Sequence, residues 1–98
     1  MAKLTEKSAS GTSFWGVTIQ TTPQKLIDVL GVPQFGDNSG QDKTNFDFVC
    51  ETEGGDVFTI YDWKYYRPLQ MDEIVDFNIG GHSGSVTLKA LQELKEIL

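Results

Sequence analysis

The chain has 98 residues, of which 39% are hydrophobic, 11% are aromatic and 22% are charged. This composition excludes a disordered protein, and the length predicts one domain with a modest core. The formal net charge of −6 argues against direct binding of nucleic acid, because phosphate neutralisation requires lysine and arginine. No apolar run approaches the roughly 18 residues of a membrane helix and no leader-like segment is present, so the sequence predicts a cytoplasmic protein.

The first part of the chain is predicted to contribute one strand and one helix. Residues 1–12 show no periodicity and are expected to form a flexible tail, which leaves residues 13–98 as a single domain. The segment SFWGVTI alternates as a strand does, and a bulge is expected at Gly16. Thr22 is typical of a helix N-cap and Gly31 of the position that follows a helix, which predicts a short helix between them.

The segment TNFDFVCETEGGDVFTIYDWKYY predicts a β-hairpin, since two strand-like runs flank Gly54-Gly55. A two-residue turn of type I′ would place Phe48 opposite Tyr61 and Phe46 opposite Trp63, which forms a ladder of aromatic pairs.

The same register places Asp47 opposite Asp62, a like-charge pair that a shift in register, a shared proton or a bound cation would relieve. No third ligand follows with recognisable spacing, so neither a metal nor a cofactor is expected. The single cysteine, Cys50, lies inside the same predicted hairpin and is interpreted as a small buried hydrophobic residue.

The last third of the chain predicts a strand followed by a helix. IVDFNI alternates as a strand does, and SVTLKALQELKEIL has the spacing of an amphipathic helix. The order β-α-β-β-β-α predicts an α+β fold, with an antiparallel sheet of about four strands and two helices packed on one face. Two helices leave part of such a sheet uncovered, so the sequence predicts a surface for a ligand or for a second copy in a homo-oligomer.

Two segments predict a binding site for a small nucleotide. YDWKYYRP places aromatic rings beside a guanidinium, which suits a stacked base and its phosphate, although an aromatic dimer interface has the same composition. NIGGHSGS is expected to bind an anion through backbone N–H groups and the start of the last helix, although a helix cap after a flexible turn would explain it as well. The predicted ligand-binding residues are Trp63, Tyr65, Arg67, Gly80, Gly81, His82 and Ser83.

The negative charge is concentrated between residues 47 and 76. A solvated face that keeps the protein soluble is one interpretation, and a surface that meets a basic host protein is the other. On the second interpretation the predicted partner-binding residues are Asp47, Glu51, Asp62, Asp72, Glu73 and Asp76.

FTIYDWKYYRP followed by EIVDFNIGGHS resembles a group of small bacteriophage accessory proteins, over about residues 13–97. The resemblance implies a phage product that blunts host defence in the host cytoplasm. The first function that we expect is sequestration of a small cyclic nucleotide signal without catalysis. The alternative is an acidic inhibitor that mimics nucleic acid and blocks a host nuclease or effector. An enzyme is less favoured, because the lone His82 has no evident partner.

Overall fold

The computed structural model describes residues 1–98 and contains a five-stranded antiparallel sheet with two helices. Along the sheet the strands follow the order β1-β3-β4-β5-β2. The predicted α+β class is confirmed, with one strand more than the sequence indicated. In chain order the elements are β1 (Lys3–Leu4), β2 (Ser13–Thr21), α1 (Pro23–Leu30), β3 (Asp47–Glu51), β4 (Val57–Tyr61), β5 (Val75–Gly81) and α2 (Gly84–Ile97).

The hydrophobic core lies between the helices and one face of the sheet. Alternate residues of the central strands point toward it, so that Phe48 pairs with Ile60 and both are fully buried. The helices close this core with Leu26 from α1 and with Ala90 and Leu94 from α2. Neither helix has the length and apolar character that crossing a membrane requires.

Local sequence signals define the helix ends as predicted. The Thr22 hydroxyl accepts a hydrogen bond from the backbone N–H of Lys25, which caps the start of α1. The backbone N–H of Gly31 closes the other end of α1 on the carbonyl of Ile27. The bulge predicted at Gly16 is also present, because the β2–β5 register shifts between Phe14 and Thr18.

The hairpin is present, but its predicted register is wrong by one residue. Gly55 adopts a φ of 88°, and its N–H donates to the carbonyl of Thr52, so the loop has three residues rather than two. Asp47 therefore lies opposite Tyr61, and Phe48 lies opposite Ile60. The expected aromatic ladder and the facing pair of Asp47 and Asp62 do not form.

The segment expected to be a flexible tail, residues 1–12, joins the sheet, and this prediction is wrong. Lys3 and Leu4 form β1, which pairs with the outer edge of β3. Ala2 is buried in the core, and the ammonium group of Lys7 lies 2.7 Å from a carboxylate oxygen of Glu51. Edge pairing with β3 is a long-range contact that the periodicity of a two-residue strand cannot reveal.

Candidate functional site

The face of the sheet opposite the helices carries a cleft of about 280 Å³, which we call the sheet-face cleft. Its floor consists of residues from three neighbouring strands, and two aromatic side chains stand beside it. The floor is formed by Asp47, Val49, Thr59, Tyr61 and Gly80, and the aromatic residues beside it are Phe35 and Trp63.

The fully buried carboxylate of Asp62 fixes the chain next to residues that line this cleft. It accepts hydrogen bonds from the backbone N–H groups of Asn45 and Phe46, each at 2.8 Å, and from the side-chain amide of Asn45 at 3.1 Å. Asp62 follows β4 and Asn45 precedes β3, so these bonds hold the two strand ends together. Trp63 directly follows Asp62, and Asp47 directly follows Phe46, so these bonds also bring Trp63 and Asp47 to one site.

A second set of hydrogen bonds connects the long loops that flank the cleft. The side chain of Asn38 both accepts from the N–H of Leu69 and donates to its carbonyl, at 2.7 and 2.9 Å. Gly40 has a φ of 78°, and a Cβ atom there would lie 2.6 Å from the backbone of Arg67. Only glycine permits this close approach, which keeps the two loops in contact.

Asp47 is a half-buried carboxylate on the floor of the cleft. Its Oδ1 atom is buried and has no hydrogen-bond partner. Burial, and to a smaller extent the charge of Asp62, raise the pKa of Asp47 above its usual value. Burial likewise raises the pKa of the facing Tyr61. The cleft thus holds a carboxylate that lacks donors within the protein.

Trp63 stands at the cleft with 46% of its surface exposed. The ring of Tyr61 meets it edge-on, with 6.0 Å between the ring centroids. The ammonium groups of Lys43 and Lys64 lie 5.8 and 5.6 Å from its ring centroid. A protein of net charge −6 therefore carries a local concentration of positive charge beside this indole.

The aromatic and basic residues predicted as one ligand site are separated in the structure. Trp63 lines the sheet-face cleft, whereas Tyr65 packs against the core and stacks with the guanidinium of Arg67. Arg67 is held by Glu73 through two hydrogen bonds of 2.8 and 2.9 Å, which lower the pKa of Glu73 to about 2. The guanidinium is therefore engaged by Glu73 and lies apart from the cleft that Trp63 lines, and its role in binding phosphate stays a prediction.

The predicted glycine-rich corner forms the end of a strand and a helix cap rather than a turn with glycines in the left-handed region. Gly80 and Gly81 continue β5, and neither has a positive φ. Gly80 faces the sheet-face cleft, where a Cβ atom would lie 2.5 Å from the hydroxyl of Thr59. Gly81 faces α2, His82 is exposed, and the hydroxyl of Ser83 caps α2 by accepting from the N–H of Val86. The helix-cap interpretation of this segment is the one that the hydrogen bonds support.

The six carboxylates predicted to meet a basic partner do not form one surface. Asp62 is buried and Asp47 is half-buried in the cleft. Glu51 is paired with Lys7, and Glu73 is paired with Arg67. Of these six, Asp72 and Asp76 remain exposed without a salt bridge, and the other four are buried, half-buried or paired.

Most of the residues that line the cleft were not predicted as site residues, among them Phe35, Thr59 and Tyr61. Period-two alternation was the available signal, because Asp47 and Val49 alternate with the core residues Phe48 and Cys50. Cys50 itself is buried, and burial raises its pKa to about 12, as expected for a thiol that serves as a hydrophobic residue.

Comparisons of the chain with protein-family models, with curated proteins and with solved structures found no match. We therefore base the function on the geometry and charge of the sheet-face cleft.

Proposed function

We propose that the protein binds a small nucleotide in the sheet-face cleft and sequesters it without catalysis. The observation that carries this proposal is the meeting of three features in one cleft. These are the cleft-lining carboxylate of Asp47, which accepts no hydrogen bond within the protein, an accessible indole on Trp63, and the ammonium groups beside that indole. A nucleotide supplies a matching group for each of them, namely N–H donors, a planar base and a phosphate.

The size and walls of the cleft favour a single planar ring system. Its volume of about 280 Å³ is just below the usual range for ligand pockets, so the cleft suits one base and leaves sugar and phosphate outside. Stacking on an aromatic side chain contributes roughly 1–3 kcal/mol per base. The half-exposed ring of Trp63 offers such a surface, and its edge contact with Tyr61 holds it in place.

The charges near Trp63 favour a ligand with an anionic end. A carboxylate beside aromatic rings also suits an organic cation, but Lys43 and Lys64 would repel one at this position. Both lysines are exposed, so their side chains can move from the indole to a phosphate group. A ligand that combines a neutral base with a negative tail satisfies the carboxylate and the lysines together.

This proposal retains the sequestration function and revises its residues. Within the role that the phage resemblance implies, the ligand is a cyclic nucleotide signal of host defence, and binding takes place in the host cytoplasm. Self-association into a homo-oligomer belongs to the same proposal. The burial of Asp62 and the pairing of Glu51 and Glu73 make the alternative, mimicry of nucleic acid toward a basic host protein, the less supported of the two.

Calorimetric titration with 5′-mononucleotides and with cyclic dinucleotides of adenine and guanine tests the proposal. We expect at least one of them to bind, and we expect Trp63→Ala to weaken that binding roughly tenfold or more, because the stacking surface is lost. Trp15→Ala is the matched control, since Trp15 is a half-exposed indole that does not line the cleft. Failure of every nucleotide to bind, or equal losses in the two variants, would contradict the proposal.

A further inference from the structure

One edge of the sheet, that of β2, has no partner within the chain. β2 is the last strand in the sheet order, and no backbone hydrogen bond outside its pairing with β5 involves its main chain. Its nine residues include no charged residue and no proline. Proteins usually block an exposed sheet edge with such residues, with a bulge or with a very short strand.

The two edges of the sheet differ in this respect. β1, at the other edge, has only two residues, of which one is Lys3. In β2 the bulge between Phe14 and Thr18 disrupts the first half of the strand, whereas the residues after it pair regularly with β5. Thr18–Thr21 therefore form a regular strand segment whose outer edge is open to a further strand.

A groove of about 590 Å³ lies along this open edge. Thr18–Thr21 form one side of it, and Leu91, Lys95 and Leu98 at the end of α2 form the other. Leu88 lies one helical turn before Leu91 on the same side of α2, and 60% of its surface is exposed. We call the segment Thr18–Thr21 together with Leu88, Leu91 and Lys95 the β2-edge surface.

The charges of the β2-edge surface suit a second copy of the same chain. A two-fold axis brings identical surfaces together, so a surface rich in carboxylates would repel itself. The chain has a net charge of −6, but the β2-edge surface has no acidic side chain and a single cation, Lys95. Lys25 and Asp76, which also line the groove, have opposite charges. Two copies can therefore meet here without repulsion between carboxylates.

We propose that the protein forms a dimer in which β2 of one copy pairs antiparallel with β2 of the other across a two-fold axis. This inference rests on the self-association included in the proposed function and assigns it a surface. Gly84, at the start of α2, lies near Trp15, and the end of α2 lies beside Thr18–Thr21, so α2 runs along β2 in the same direction. The axis that pairs the strands therefore also places the two α2 helices side by side, where each covers the exposed Leu88 of the other.

The size of the β2-edge surface is compatible with a stable dimer. β2 is about 30 Å long, since each of its nine residues adds about 3.4 Å. With a helix packed on the sheet the contact is about 20 Å high, so the two copies together bury about 1,200 Å², which is at the lower end of the range for specific interfaces. The sheet-face cleft lies on the face of the sheet opposite the helices, so it stays open in both copies.

Sedimentation equilibrium from micromolar to submillimolar concentration tests the dimer. We expect the mass of the wild-type protein to rise toward twice 10.9 kDa. Leu88→Glu places a carboxylate in the contact between the helices and should weaken the dimer roughly tenfold or more. Because Leu88 is exposed within one copy, we expect circular dichroism of this variant to match that of the wild type.

Val32→Glu is the matched control, because Val32 is 75% exposed and follows Gly31, which lies beside Leu4 at the opposite edge of the sheet. It should leave the dimer unchanged. A wild-type protein that stays monomeric at every concentration would overturn the proposed dimer. Equal effects of Leu88→Glu and Val32→Glu would show that self-association uses another surface.

Hydrogen exchange tests the strand pairing itself. The amides of Thr18–Thr21 that point away from β5 should exchange more slowly in the wild-type dimer than in Leu88→Glu, and equal exchange rates would overturn the pairing of β2 with β2. Nucleotide titration separates this inference from the proposed function. The Leu88→Glu variant should still bind in its sheet-face cleft, and a dimer that binds no nucleotide would refute the proposed function alone.

Discussion

Replacement of Asp62 by alanine is expected to lower the free energy of unfolding by about 3 kcal/mol or more, because buried donors are left without an acceptor. The carboxylate accepts from two backbone N–H groups and from one side-chain amide, and its residue is fully buried. Equilibrium denaturation with urea, followed by circular dichroism, measures the loss.

The isosteric variant Asp62→Asn is the control for this experiment, because it retains one acceptor oxygen and the same shape. We expect it to be less destabilised than Asp62→Ala. A loss below about 1 kcal/mol for the alanine variant would mean that Asp62 does not hold the strand ends together. The positions of Asp47 and Trp63 would then need another explanation.

Replacement of Asp47 by asparagine is expected to have the opposite effect on stability, raising the Tm at pH 7 by roughly 2–6 °C. Burial raises the pKa of Asp47, so folding disfavours the ionised form that is present at neutral pH. The amide of asparagine is neutral, so the variant does not have to bury a charge at this position when it folds. The same variant should weaken nucleotide binding, and stability gained at the expense of binding is typical of a residue retained for function.

The pH dependence of this gain follows from the direction of the pKa shift. As the pH falls through the raised pKa of Asp47, the folded wild-type protein takes up a proton and regains stability. The difference in Tm between Asp47→Asn and the wild type should therefore be largest at neutral pH and disappear below about pH 3.8, the usual pKa of the group. A lower Tm for the variant at pH 7 would show that the carboxylate has a stabilising partner.

Helix caps and a strand bulge were predicted correctly, because each depends on residues that are close together in the sequence. Thr22 and Gly31 define α1, and the bulge at Gly16 also forms as expected. The hairpin register was missed because a pair of glycines fits both a two-residue type I′ turn and a three-residue loop with glycine in the left-handed region. The difference of one residue decides that Asp47 faces Tyr61.

The candidate site was predictable only in part, because it is assembled from distant segments. Trp63 and Gly80 were expected to bind the ligand, and both line the cleft. Arg67 was expected beside them, but its pairing with Glu73 depends on the path of a loop that no local pattern determines. The sequence also did not predict that β5 continues through Gly81, because consecutive glycines usually indicate a turn. Here they are required by close packing, since Gly80 lies against a neighbouring strand and Gly81 lies against α2.

The central claim, that a nucleotide base enters the sheet-face cleft, is tested most directly by mapping backbone and indole NMR signals during titration with GMP. We predict that the largest shifts occur at the indole N–H of Trp63 and at the amides of Thr59, Tyr61 and Gly80, which are far apart in sequence but line the same cleft. Shifts confined to the helical side of the sheet, or none at saturating GMP, would contradict the claim.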